Sequence, residues 1–201
     1  MKTYPFSALF SRMKYITRWS LMRSTRAESL SEHTADTAML AHTLCLIGKS
    51  CTGTGAALRP EVVATAALYH DAPEILTGDM PTPVKYHSLE LRGAYKDVEK
   101  MANDRLLAML PEDLRKCFAP YLCEGRDYDH QIVKAADSLS AYLKCVEERR
   151  AGNHEFDAAG EAIRRQLDAI TLPEVQDFIR EFVPSFSLTL DELNQPGGHQ
   201  A

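Results

Sequence analysis

The chain has little that would tie it to a disulfide framework, a membrane or a nucleic acid. Its five cysteines (Cys45, Cys51, Cys117, Cys123, Cys145) are an odd set with no Cys-x-x-Cys pair. That suits reduced thiols in a cytoplasm better than a disulfide scaffold or a zinc knuckle. No uncharged run reaches the length of a membrane span. The apolar residues between Tyr4 and Phe10 run into Arg12 and Lys14, so no signal-peptide core is expected either. There is no excess of positive charge: 23 basic against 28 acidic residues give −5. This argues against a nucleic-acid backbone as partner, but leaves room for a small phosphorylated substrate, which needs only one or two local cations. Internal repeats, low-complexity blocks and linkers are also missing. The expected location is cytoplasmic.

What is present is an ordinary globular composition, 45% apolar and 25% charged over 201 residues. It is enough for one good-sized core, expected as a single domain over residues 1–194 with a frayed tail at 195–201. Apolar spacing of three and four predicts helix after helix. Phe6, Leu9, Phe10, Met13 and Ile16 mark a first one over 6–16. Periodicity then fails across 17–23, where the only tryptophan, Trp19, follows Arg18. Ser29 and Glu32 have capping-box spacing and open a helix running to Ile47, with Gly48 suited to end it. His33, Thr37, Leu40, Leu44 and Ile47 share its inward stripe, whereas His42 falls on the opposite face. Cys51 to Gly55 reads as a loop, lacking the Lys-Ser/Thr ending of a phosphate-binding loop.

Pro60 opens a third helix, Glu61 to Ala72, whose face of Val63, Ala66, Ala67 and His70 carries that histidine inward. Pro73 ends it beside His70-Asp71. Residues 77–83 are expected to be extended or turning. Helix resumes over 85–110, with Leu89, Ala94, Val98, Met101, Leu106, Leu107 and Leu110 as core contributors, and a short one follows Pro111 over 112–118. Asp127 to Asp129 caps a strong helix over 131–151, burying Ile132, Ala136, Leu139, Leu143 and Val146, with Asp137 at the border of that row. Helices over 158–170 and 173–182 complete an all-α pattern.

Four inward candidates thus lie on three helices: His33, His70, Asp71 and Asp137. Each alone has an ordinary explanation, such as a hydrogen-bonded core histidine. Together they offer two imidazoles and two carboxylates, the donors of a divalent metal with a coordination position to spare. Spacing along the chain leaves open whether they meet.

The order His33…His70-Asp71…Asp137 on successive helices resembles the HD-domain superfamily of metal-dependent phosphohydrolases. Ser31-Glu32-His33, the block from Tyr69 through His70-Asp71-Ala72-Pro73-Glu74 and Thr77-Gly78-Asp79-Met80-Pro81-Thr82-Pro83 to Lys85, and Lys134 to Asp137 are similar to the bacterial 5′-deoxynucleotidases. Arg18-Trp19 and Phe182 to Phe186 are similar to the same family. Departures fall near Gly53 and Arg126. The resemblance implies a helical HD-domain bundle in which His33, His70, Asp71 and Asp137 hold one divalent ion, commonly cobalt, manganese or copper. It implies hydrolysis of deoxyribonucleoside 5′-monophosphates to deoxyribonucleoside and phosphate, selective against ribonucleotides and tolerant of the base, by a homodimer. Glu74, Arg18 and Asp71 would then be catalytic, Glu74 handling a proton or orienting water; a solvated glutamate opening a turn is its plainer reading. Arg18, Trp19, Asp71, Asp79, Met80, Pro81, Thr82 and Asp137 would hold substrate, with Trp19 filling the place of a 2′-hydroxyl. For Trp19 the plainer reading is a plug at the side of the core, with Arg18 solvated beside it. The competing functions are another HD activity (a deoxynucleoside triphosphohydrolase or a signalling-nucleotide phosphodiesterase) or a metal-stabilised helical binding module without turnover. A triphosphate would want more basic residues than Arg18 and Arg23 provide.

Overall fold

The Ser29 cap shows how the chain builds its central helix. The Ser29 hydroxyl accepts from Glu32 N–H while the Glu32 carboxylate takes the Ser29 N–H, satisfying two helix-end donors reciprocally. The computed structural model describes residues 3–53, 58–85, 87–122 and 127–195, with backbone alone at Thr52, Thr82 and Pro83. The 196–201 part of the expected tail, Thr54 and Gly55, Cys123, the Arg126 stretch and His199 lie outside the described residues. Among the described residues there is no strand, and only one isolated antiparallel bridge, Thr17 with Ser29.

The helices are α1 (Phe6–Phe10), α2 (Leu30–Ile47), α3 (Pro60–Tyr69), α4 (Glu74–Thr77), α5 (Thr82–Lys85), α6 (Leu89–Ala108), α7 (Glu112–Leu122), α8 (Tyr128–Arg150), α9 (Asp157–Asp168), α10 (Pro173–Glu181) and α11 (Leu190–Leu193). Helix α2 lies at the centre, packed by α3, α8 and α10, with α9 on the far side of α8. Leu44, Val63, Ala67, Ile132, Ala136, Leu139 and Val175 form the apolar interior between these helices. The small Ala66 and Ala67 let α3 approach α2 closely. A second apolar cluster of Phe6, Ala72, Leu106, Leu110 and Leu122 seats the end of α3. There Phe10 meets Tyr69 edge-on at 5.2 Å and Phe6 meets Phe118 at 4.9 Å. No helix is long and apolar enough to cross a membrane.

Several boundaries differ from the pattern. The 6–16 helix is two pieces, α1 and a 3₁₀ turn over Met13–Tyr15. Gly48 is not a left-handed stop: its φ is −57° and the chain continues through a π-helical turn to Gly53, which takes the left-handed conformation at φ +67°. The link after α4 is non-helical only over 78–81. Helix α3 stops at Tyr69, so His70 to Pro73 form a turn. On α6 the buried row is Tyr95, Ala102 and Leu106; Leu89, Ala94, Val98 and Met101 are exposed. The cysteines Cys45, Cys51, Cys117 and Cys145 are free thiols.

Candidate metal centre

The first turn of α2, the end of α3 and the middle of α8 deliver the four candidates to one place. His33 is fully buried, its Nδ1 3.1 Å from Ser140 Oγ on α8. His70 directs Nδ1 to the Ala67 carbonyl at 2.7 Å. A carbonyl only accepts, so Nδ1 carries the proton and Nε2 is the lone-pair nitrogen of the neutral ring. Pro73 brings no N–H to continue α3, and the resulting turn over 70–73 aims both His70 and Asp71 at α8.

The ligand atoms fall within 4.8 Å of one another. His33 Nε2 is 3.5 Å from Asp71 Oδ2 and 3.2 Å from Asp137 Oδ1; His70 Nε2 is 3.1 Å and 3.7 Å from the same two oxygens. Donors about 2.1 Å from a common ion stand roughly 3.0–3.4 Å apart, so the spacing fits one ion. Both Nε2 atoms are buried and make no aligned hydrogen bond. An orphaned imidazole nitrogen facing carboxylate oxygens is costly, and a divalent cation satisfies all four donors. Without one, the charges respond: burial opposes protonation of His70, but Asp71 and Asp137 raise it to about 10. His33 is raised against the same burial by Asp137 and Asp71. Burial works to raise both carboxylates, yet the two imidazoles hold Asp71 and Asp137 well below the usual range.

Around this centre stand the other candidates. Arg18 is buried rather than solvated. Its Nη1 donates to Asp71 Oδ2 at 3.3 Å, while the buried Nε makes no hydrogen bond and faces Glu28 Oε2 at 3.8 Å. Burial works against its charge, but Asp71, Asp137, Asp79 and Glu74 outweigh it and raise the guanidinium. Glu74 is buried too, so it is no solvated turn residue. Burial, then Asp71 and Asp79, push its carboxyl up to about 9, and its Oε2 lacks a partner. Trp19 is half-buried, edge-on to Phe156 at 5.3 Å, with Nε1 donating to Glu28 Oε2 at 3.0 Å. Met80 lies half-buried on the 78–81 link, as does Pro81, whose carbonyl accepts from Val84 and Lys85 N–H; the Thr82 side chain is outside the described residues. A cavity of about 770 Å³ opens beside His70, Asp71 and Glu74, reaching Tyr69, Lys85 and Tyr121. His42, His87 and His154 are exposed and stand apart from the cluster.

Sequence reasoning missed Glu28 and Ser140. Ser140, seven residues after Val133 on α8, could have been found from the face it shares with Asp137. Glu28 lies in an aperiodic loop; its one local signal is adjacency to the Ser29 cap.

A family model described as 5′-deoxynucleotidase YfbR-like matches residues 5–186. A 5′-deoxynucleotidase of Vibrio parahaemolyticus is 48% identical over 197 residues, spanning 96% of this chain and 100% of the relative. Among solved structures, an HD-domain phosphohydrolase from Listeria innocua superposes with a TM-score of 0.78 at 20% identity, over 90% of this chain and 87% of that one. The cyanophage S-2L HD phosphohydrolase, solved with dA and one catalytic zinc ion, gives 0.62 at 23% identity over 94% and 98%. At such identities the structural likeness speaks to the fold.

Proposed function

The chain belongs to the 5′-deoxynucleotidase YfbR-like family, and from that premise we propose that it hydrolyses deoxyribonucleoside 5′-monophosphates to deoxyribonucleoside and phosphate, refusing ribonucleotides and tolerating different bases. The observation that carries this reading is the pair of buried, unpartnered imidazole nitrogens facing Asp71 and Asp137 beside the half-engaged guanidinium of Arg18. The donor set is mixed nitrogen and oxygen, which accommodates cobalt, manganese, copper or the zinc of the cyanophage protein.

A divalent ion held by His33, His70, Asp71 and Asp137 would supply Lewis-acid activation of water and neutralise phosphate charge. Arg18 binds the phosphate oxygens with its guanidinium, a planar fork suited to that group. Asp71 keeps that fork in place through its contact with Nη1, and with Asp137 it borders the phosphate. Glu74 orients the attacking water or handles the proton near the leaving 5′-oxygen; its burial and its unpartnered Oε2 support a task of this kind. Trp19 lies against the sugar where a 2′-hydroxyl would stand, which discriminates by shape. Asp79 accepts from the 3′-hydroxyl, and the Met80-Pro81-Thr82 backbone shapes the adjoining wall. The cavity volume is within the usual range for a ligand of nucleotide size. The exposed Val98 and Met101, one turn apart on α6, offer an apolar patch for the homodimer that the resemblance implies, and light scattering of the purified protein reads that state directly.

The test is metal content of the purified protein paired with phosphate release from dAMP, AMP, dATP and a cyclic nucleotide. We expect about one ion per chain and turnover of dAMP well above AMP. Activity confined to dATP or to the cyclic nucleotide would overturn the reading, as would metal-loaded protein without turnover.

A further inference from the structure

Glu28 is a buried carboxylate to which the proposed reaction assigns no part. Its surroundings are nevertheless the site itself. Oε2 accepts the Trp19 indole N–H at 3.0 Å and stands 3.8 Å from Arg18 Nε, while Oε1 is 3.7 Å from His33 Nδ1. Its backbone carbonyl accepts from Arg18 N at 2.9 Å, inside the bridge that pairs Thr17 with Ser29. One residue thus anchors two consecutive site residues, Arg18 through main chain and Trp19 through side chain, and touches a candidate metal ligand with its other oxygen.

Trp19 needs such an anchor. Its φ of +57° is left-handed, the one non-glycine case among the described residues, and is strained for a bulky side chain. A conformation of that kind persists only when its surroundings over-determine it. The Met22 N–H to Trp19 carbonyl bond and the Phe156 edge contact hold the turn and one side of the ring; the Glu28 bond fixes its rotation. Filling this space would require only an apolar residue. Burying a carboxylate is costly, and burial indeed pushes Glu28 upward against the pull of His33, Arg18 and Trp19.

We propose that Glu28 is the positioning residue of this site: its carboxylate sets the Trp19 indole and the Arg18 guanidinium against His33, and so sets how strictly the sugar wall refuses a 2′-hydroxyl. The inference rests on reading Trp19 as that wall.

Because Trp19 is the only tryptophan, its fluorescence reports the ring directly and independently of turnover. The metal-loaded wild type is compared with Glu28→Ala and Glu28→Gln for emission, acrylamide quenching, metal content, and separate kcat and KM on dAMP and AMP, and with Trp19→Ala for metal content and the same kinetics. In Glu28→Ala the emission should move to longer wavelength and quenching should rise. The dAMP-over-AMP preference should fall about ten-fold, the worth of one well-placed hydrogen bond, mainly because the KM for AMP falls, with metal content unchanged. Glu28→Gln, whose amide oxygen still accepts the indole N–H, should recover the emission and most of the preference. Wild-type emission and preference in Glu28→Ala would overturn the proposal, as would a Glu28→Gln protein no better than Glu28→Ala. If Trp19→Ala leaves the preference unchanged, the sugar-wall reading fails and takes the selectivity half of the proposal with it. The emission arm then decides alone whether Glu28 holds the ring. Should Glu28→Ala not fold, Glu28→Asp, with its shorter reach, carries the same readouts.

Discussion

Replacing Glu148 by glutamine tests how the loop between Trp19 and Ser29 is fastened to the rest of the fold. Glu148, on α8, is fully enclosed. Its Oε1 accepts from Lys144 Nζ at 2.5 Å, and its Oε2 from Thr25 N and Asn153 Nδ2, each at 2.8 Å. Lys144 also donates to the Arg26 carbonyl and Asn153 to that of Arg23, so three side chains clamp the loop at 23, 25 and 26. Burial works to raise Glu148, but Lys144 and the Thr25 and Asn153 donors prevail and take it from 4.5 to about 2. At about 1.4 kcal/mol per pH unit this is at most roughly 3 kcal/mol. Glutamine keeps the shape but turns an amide NH₂ toward the buried Lys144 ammonium, so the loss at pH 7 should be about 2–3 kcal/mol. For a chain of this size that lowers Tm by roughly 5–10 °C. The sign follows from the depressed folded pKa: the stabilisation is complete above 4.5 and is lost as pH falls toward 2. Thermal melts followed by circular dichroism, run in chelator from pH 7 downward, therefore show a wild-type advantage that shrinks below about half by pH 3. Chelation leaves both proteins metal-free, so titration of His33, His70, Asp71 and Asp137 enters both curves alike. A Tm difference near zero at pH 7, or one undiminished at pH 3, would refute the clamp.

Two further substitutions address the chemistry. Arg18→Lys retains the charge beside Asp71 but not the planar fork; kcat/KM on dAMP should drop about 100-fold with metal content intact, and a loss of only two- or three-fold would remove Arg18 from phosphate binding. Glu74→Gln preserves volume in a buried setting and should leave the metal bound while lowering kcat about 100-fold or more; wild-type turnover would strike Glu74 from the mechanism.

Much of this arrangement was legible in the sequence because it rests on local rules. The Ser29–Glu32 cap, Pro60 at the start of α3 and Asp127 at the start of α8 are chemical signals for helix ends. Helical spacing then assigns faces, and His33 and His70 are carried inward by the alanines and leucines that bury their helices. On α6 the same rule fails. Ala94, Val98 and Met101 make a credible apolar row, but periodicity identifies a face without saying whether a neighbour covers it. The covered side is Tyr95, Ala102 and Leu106, because α4 and α7 pack there. Gly48 misleads for a related reason: glycine permits a left-handed stop but does not demand one, and Gly48 keeps right-handed backbone at φ −57° as the chain turns on.

Glu28 marks the deeper limit. Its role depends on Thr17 and Ser29 coming together, a contact that no periodic pattern encodes. Yet the cap implies half of it. An N-cap residue must leave the helix in extended backbone, as Ser29 does at φ −87° and ψ 156°, and extended backbone seeks a pairing partner. Here the partner is the stretch that ends in Arg18-Trp19, with Leu30 N–H on the Ile16 carbonyl and Arg18 N–H on that of Glu28. The residue just before the cap is thereby drawn against the two residues that bind phosphate and sugar in our reading. An acidic residue preceding a capping box, with an Arg-Trp pair about ten positions upstream, is therefore a physical reason to look for a carboxylate bound to the indole.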